Sequence, residues 1–429
     1  MRYAIVGAGS RHAMYREALV DAPIDPGNEL VALCDVNASR LALSAAQLAG
    51  QGRSDVGLYP PEAFERMVAE RRPDVVIVTT PDFLHDEYIV RALRAGCDVI
   101  TEKPMTIDLR RLKAIVDAER ETGRTVTVTF NYRYTPSHTQ LRDLLQSGAI
   151  GAVTAVDFRW SLDRVHGADY FRRWHRERGR SGGLLVHKAT HHFDLVNWWI
   201  GSRPQTVTAL GSRRFYTPET ADRLGLAGHG ERCLDCPRRG ACPYRLDLAA
   251  DPELRTLYLE TETADGYLRD RCVFSPAIDI DDTMQVQVGY ASGVTMNYTL
   301  CAYSPWEGYE IVFYGLDGEL SHRHVGIHGV FGGVRHEADD SATTTTLHRH
   351  GEAPRAIEVW TGEGDHGGGD PVMLDQLLNP RAAEDPYRRR ASQIDGAWSI
   401  LTGIAANVSI ARGEKVAVDA LLEDAGIQL

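Results

Sequence analysis

Apolar residues follow two rhythms along this chain, and the change between them marks its organisation. From residue 1 to 130, short Val/Ile-rich runs at 3–7, 30–35, 75–79, 98–101 and 125–129 alternate with helical spacings such as Tyr88-Ile89-Val90 with Leu93, and Leu112 with Ile115-Val116. Strands buried on both faces read as near-continuous apolar runs, so this half predicts a Rossmann-type, doubly wound parallel sheet covered by helices. Beyond Thr135, apolar and polar positions alternate at 153–160, 206–210, 284–290, 294–300 and 311–314, and Ala291-Ser292-Gly293 reads as a hairpin turn. The expected fold is α/β: residues 1–130 as a nucleotide-type domain, and 131–429 as an α+β substrate and oligomerisation domain on a large, open, mostly antiparallel sheet. A polar, arginine-rich stretch at 216–274 reads as an insertion, 336–369 as a loop ending in Gly367-Gly368-Gly369, and 394–411 as a helix.

Length and charge narrow the function. The 429 residues suggest two or three domains at ~150 residues each, and 47 Lys+Arg against 59 Asp+Glu give a net charge of −12. That balance argues against nucleic acid as a partner, since a phosphate backbone needs a basic surface. There is no run of about 18 apolar residues to predict a membrane span. The chain opens on a buried strand rather than a signal peptide, so a cytoplasmic protein is expected. The uncovered face of the open sheet suggests a homo-dimer or homo-tetramer. Only four of the 47 basic residues are lysines (Lys103, Lys113, Lys188 and Lys415), which draws attention to a lysine within a motif.

Gly7-Ala8-Gly9-Ser10-Arg11-His12 follows the first strand and opens a helix. Two glycines there permit a tight turn and close approach of backbone N–H groups to a pyrophosphate, while His12 replaces the usual small third residue. Asp35, ending the second strand, suits the hydroxyls of an adenosine ribose and disfavours a 2′-phosphate. NAD is therefore the expected cofactor; a plain helix-capping Asp is the structural alternative. Thr79-Thr80-Pro81-Asp82-Phe83-Leu84-His85 and Thr101-Glu102-Lys103-Pro104 occupy the carboxyl ends of two further strands, where such sheets bind ligands.

Taken together, the Gly-x-Gly strand, the Thr-x-Pro-x-x-x-His loop and strand–Glu-Lys-Pro resemble the glucose–fructose oxidoreductase/inositol dehydrogenase (Gfo/Idh/MocA) family. Asn131-Tyr132-Arg133-Tyr134 is similar to that family's hinge between domains. The resemblance is good over the first 200 residues, loose over the last hundred, and does not extend to the insertion. It implies cofactor contacts from Gly7, Gly9, Ser10, Arg11, His12, Asp35, Thr80, Pro81, His85, Glu102 and Lys103, with the Lys103 amine aimed at substrate and nicotinamide. The family carries Asp-x-x-x-His-x-x-Asp after a Gly-Gly pair. Here Gly182-Gly183 is followed by His187, His191 and Asp194, with His187 in place of the first Asp.

In a helix, positions 187, 191 and 194 share one face, so His191, with His187, is the expected acid or base. The competing readings are near-core histidines, or a metal site at His-x-x-x-His spacing. Lys188, Tyr132, Arg133, Asp194, Trp174 and Arg176 are the expected substrate contacts. Arg176 belongs to the run Arg172-Arg173-Trp174-His175-Arg176-Glu177-Arg178-Gly179-Arg180, which reads either as a solvated face or as a receptor for an anionic group. Trp160 is a second candidate for the apolar face of a sugar ring.

Cys233, Cys236, Cys242 and Cys272 fall within the insertion at a spacing that suits a structural zinc, with an iron–sulfur centre or free thiols as alternatives. The resemblance implies an NAD-dependent enzyme oxidising a ring hydroxyl of a sugar, sugar acid or inositol to a ketone, with Lys103 and His191 handling the proton. Two other outcomes fit the same residues. One is an NAD-dependent glycoside hydrolase working by transient oxidation, elimination, water addition and re-reduction, with His187 and His192 as extra proton carriers. The other is a cofactor-binding sensor without turnover.

Overall fold

The computed structural model describes residues 1–326 and 343–429. Strands β1 (Arg2–Val6), β2 (Glu29–Cys34), β3 (Gly57–Tyr59), β4 (Val75–Val78), β5 (Asp98–Thr101) and β6 (Val126–Val128) form a parallel sheet in the order β3-β2-β1-β4-β5-β6. Its strand order reverses at β1, which places a ligand crevice beyond the carboxyl ends of β1 and β4. Edge strand β3 is invisible in the sequence pattern because three residues are too few to set a rhythm.

The second sheet contains β7 (Val153–Asp163), β8 (Pro204–Ser212), β9 (Thr283–Tyr290), β10 (Thr295–Ser304), β11 (Glu307–Gly315), β12 (Gly318–Gly326), β13 (Thr344–Arg349) and β14 (Arg355–Ile357). Its order is β14-β13-β12-β11-β7-β10-β9-β8, with the two-residue strand Val416–Ala417 added at the β8 edge, and every pair but β7–β10 is antiparallel. Gly293, at φ +86°, closes the β9–β10 hairpin where expected. The outer face is polar, with Asn297 donating to Asp157 at 3.0 Å and Arg159 paired to Glu310 at 2.8 Å. The loop expected at 336–369 is corrected: β13 and β14 lie within it, and residues 336–342 fall outside the described residues.

Residues beyond 130 also complete the first sheet. A later strand, β15 (Ala391–Ser392), joins the first sheet antiparallel to β6. Met373, Leu377 and Leu378 pack with Tyr3, Ile5 and Leu30 on one face of that sheet. The segment β15 leads into the helix Gln393–Arg412, which opens on a Ser392/Asp395 capping box. Among the described residues this is the one helix with the length and hydropathy of a membrane span. Its contacts explain that composition, because it lies in the core against β8 and the helices Leu184–His187 and Thr190–Ile200.

Gly403 sets that packing distance, since a Cβ there would collide with the Leu185 carbonyl oxygen. Gly403→Ala should therefore cost about 1–3 kcal/mol by overpacking, read as a lower urea midpoint. Gly50→Ala, with open space around it, should be neutral or mildly stabilising.

Candidate active site

The crevice is built by three loops at the carboxyl ends of β1, β4 and β5. Gly7, at φ +100°, lies so close to the chain after β4 that a Cβ would meet the Thr79 carbonyl and the Thr80 amide at 2.8 Å, so only glycine fits. Gly9 keeps its face clear, and its nearest foreign atom is the Tyr258 Oη, 3.8 Å from a built Cβ. Asp35 ends β2 with its carboxylate accepting from the Ala8 amide at 2.5 Å and the Asn37 amide at 2.6 Å. It braces the glycine loop, while Asn37 is the residue that caps the next helix.

Three expected cofactor contacts prove to be braces. His12 is buried, its Nδ1 on the Gly9 carbonyl and its Nε2 on Ser44 Oγ, so it fastens the loop by hydrogen bonds where a small residue would do so by close packing. Buried His85 spans two loops, with Nε2 on the Thr80 carbonyl at 2.8 Å and Nδ1 on the Pro104 carbonyl at 2.7 Å. Glu102 accepts from Arg11 Nε at 2.9 Å and from Tyr15 Oη at 2.7 Å. Arg11 reaches on to Asp370 at 3.3 Å, tying the glycine loop to the second half of the chain.

These braces fix Lys103, whose Nζ donates to the His187 carbonyl at 3.3 Å. Burial, opposed by Asp82 and reinforced by Lys188, brings its amine down to about 8. His187 Nδ1 meets Asp82 Oδ2 at 2.5 Å. Burial pushes the Asp82 carboxyl well above its usual range and the His187 ring well below its own. The two are best described as sharing one proton, since low polarity penalises a separated pair of charges. The carboxylate missing at position 187 is thus supplied in space by Asp82, a loop residue to which the sequence pattern alone gives no role.

His187 ends one short helix and His191 sits in the next, Thr190–Ile200. His191 stacks on Tyr132 with ring centroids 4.2 Å apart. Its buried Nδ1 has no protein partner, and burial together with Lys103 and Lys188 keeps the ring well below its usual pKa, hence neutral. Lys188 Nζ donates to Tyr132 Oη at 3.1 Å and lies 5.1 Å from the Trp160 ring; burial, partly offset by Glu307, brings its amine to about 8. Trp174 stacks on His175, 3.8 Å between centroids, edge-on to His187. His366, from the triple-glycine segment, approaches Tyr132 and pairs with Asp370.

Several expected substrate contacts lie elsewhere. Arg133 and Asp194 bind each other bidentately at 2.6 and 2.7 Å, 2% and 1% exposed, with Asp395 as a third member. Trp160 is enclosed between His192 and Tyr309. The first half of the arginine run is engaged with protein groups, while Arg180 at its end is exposed. Arg172 donates to the Tyr244 carbonyl, Arg176 to the Cys272 carbonyl, and Arg173 to Tyr267 and Asp169, so the run fastens the insertion to the second domain.

The four insertion cysteines line one small cavity with His229, as free thiols. Burial raises the Cys233, Cys242 and Cys272 thiols, the last to about 11. Among the described residues, no group of three or more His, Cys, Asp or Glu is arranged to hold a metal ion, so neither the zinc reading nor the His187/His191 metal reading finds support in this geometry.

A crevice at the switch point of a doubly wound sheet, with a lysine and histidines facing it from a second sheet domain, defines a two-domain oxidoreductase. Residues 1–130 match the Gfo/Idh/MocA profile "Oxidoreductase family, NAD-binding Rossmann fold", and residues 142–418 match the companion "Oxidoreductase family, C-terminal alpha/beta domain". The chain belongs to the Gfo/Idh/MocA oxidoreductase family. It is 34% identical over 409 residues, 92% of each chain, to YteT of Bacillus subtilis (strain 168), an oxidoreductase by name. It is 28% identical to the inositol 2-dehydrogenase of Rhizobium meliloti (strain 1021), over 63% of this chain and 81% of that one. The crystal structure of aldose-aldose oxidoreductase from Caulobacter crescentus complexed with glycerol shares the fold, with a TM-score of 0.64 at 19% identity over 97% of this chain and 99% of that one.

Arg133→Ala should destabilise the protein by about 3–5 kcal/mol, because it strands a buried carboxylate. Urea unfolding checks this; wild-type stability with only a raised KM would return Arg133 to the substrate contacts.

Proposed function

We propose that the protein is an NAD-dependent dehydrogenase oxidising one secondary hydroxyl of a sugar, sugar acid or cyclitol to a ketone. The observation that carries this reading is the half-buried Lys103, its amine near neutrality, set against the Asp82–His187 pair at the carboxyl end of a parallel sheet. The loop fits a dinucleotide. Gly9 leaves room over the backbone, Thr80 Oγ1 is buried without a protein partner, and Asp35 presents an anion that disfavours a 2′-phosphate. Gly7, Gly9, Ser10 and Arg11 would hold the pyrophosphate, with Thr80 and Pro81 alongside. When bound, the nicotinamide supplies the acceptor for the carbinol hydride.

The chain's own part is proton transfer and orientation. His191 is neutral, so its unpartnered Nδ1 accepts a hydrogen bond from a substrate hydroxyl and orients it. Its depressed basicity makes it a poor final acceptor. Lys103, at about 8, has the basicity that proton exchange with a hydroxyl requires near neutral pH. Its neutral amine takes the hydroxyl proton in oxidation, and its ammonium returns it in reduction. Lys188, stationed over Tyr132, adds positive potential that stabilises a developing alkoxide and favours acidic sugars. Trp174 offers the accessible ring face for the sugar. Nothing among the described residues favours the hydrolytic alternative.

Incubating the protein and NAD with neutral and acidic sugars and cyclitols, while following NADH absorbance, tests the assignment. NADH formation on a member of this set is expected; tight NAD binding without turnover across the set would return the protein to the sensor class. Lys103→Ala should lower kcat by at least about 10²-fold with NADH affinity preserved, and Asp82→Asn should also lower kcat. Because deprotonated Lys103 is the oxidising form, kcat/KM for oxidation should rise with pH through about 8, and that for reduction should fall through the same pH. Profiles flat across this range would exclude the lysine as the proton carrier.

A further inference from the structure

The insertion folds a strap over the nucleotide end of the first sheet. Leu246, Leu248, Leu254 and Tyr258 form a small core of their own, joined by Leu257, Leu259 and Tyr267. From this core the strap reaches the first domain at four points. Tyr258 Oη accepts from the Ser10 amide at 3.2 Å and donates to Ser10 Oγ at 3.1 Å. Asn37 Nδ2 donates to the Thr261 carbonyl at 3.0 Å, and Arg40 Nε to the Leu257 carbonyl at 3.1 Å. Arg40 also pairs with Asp265 at 2.9 Å, both nearly buried.

These contacts fall on the groups assigned above to the cofactor. The Ser10 amide follows the second glycine, where a backbone N–H meets a pyrophosphate oxygen. Tyr258 supplies an oxygen at that amide, over the face that Gly9 keeps clear. Its surroundings are those of an anion: guanidinium carbons of Arg40 and Arg269 lie 5.4 and 5.7 Å from its ring. Burial alone would push the phenol up, but Arg173 and Arg269, with the hydrogen bonding to Ser10, outweigh it and hold Tyr258 below its ordinary value.

We propose that the strap gates cofactor exchange, with Tyr258 and the dinucleotide pyrophosphate competing for the Ser10 amide. Docked strap and bound pyrophosphate then exclude one another at that point. Cofactor entry requires Tyr258 to withdraw, and the apparent affinity is reduced by the fraction of molecules in which the strap is docked. The inference rests on the nucleotide reading of the glycine loop and adds a residue from outside the first domain to it.

The test is binding of ADP-ribose, which carries the pyrophosphate without the nicotinamide, to the full-length protein by calorimetry. Tyr258→Phe keeps the ring and removes the competing oxygen, so ADP-ribose should bind about fivefold more tightly, the equivalent of one ordinary hydrogen bond. Asp265→Asn, which loosens the strap without touching the loop, should shift affinity the same way and covers the case in which Tyr258→Phe folds poorly. Hydrogen exchange in wild-type residues 251–266 should quicken when ADP-ribose is added. Equal or weaker binding in the variants, or slower exchange with ligand, overturns the gate and leaves the nucleotide site standing. If neither ADP-ribose nor NADH binds any of the three proteins, the nucleotide reading falls and the gate with it.

Discussion

A guanidinium and a carboxylate enclosed together can each be tolerated only in the other's company, and Arg133 and Asp194 depend on one another in that way. Arg133 lies where the chain leaves the first sheet, and Asp194 lies on the helix that bears His191. Because Asp395 joins them, the same contact reaches the helix Gln393–Arg412. The geometry at the crevice follows from this tie. Tyr132, next to Arg133, is set flat beneath His191, and Lys188 is left to bond the Tyr132 hydroxyl. The pair contributes position, and the chemistry belongs to the residues it positions.

A second constraint is the expense of charge in a dry pocket. Lys103 and Lys188 are both held near neutrality by their surroundings. With His187 in place of a carboxylate the helix Leu184–His187 lacks one acidic group, and Asp82 brings one to it from the chain after β4.

The parallel sheet, the crevice and Lys103 are legible in the sequence because each is written locally: a strand rhythm, a glycine turn, a short motif at a strand end. Residues whose meaning depends on a distant partner are not. Arg133 and Asp194 read as substrate contacts because their 61-residue separation hides their pairing. His12 and His85 read as cofactor contacts on position alone, and their two-sided hydrogen bonds exist only in three dimensions. The arginine run carries the strongest ambiguity, and its resolution as fastenings for the insertion rests on backbone carbonyls, which no side-chain pattern encodes. Asp82 offers one available signal, an acidic residue just beyond the carboxyl end of a parallel strand.

The small strand Ala391–Ser392 has a wider consequence. By pairing with β6 it covers an edge that would otherwise offer unpaired amides and carbonyls to other chains. A fragment ending at residue 130 would expose that edge, together with the apolar surface under Met373 and Leu378. The nucleotide half is therefore not a detachable module. Exchanging it between relatives by cutting at the hinge would trade away solubility along with the partner, and a chimera would need its tail drawn from the same parent as its first sheet.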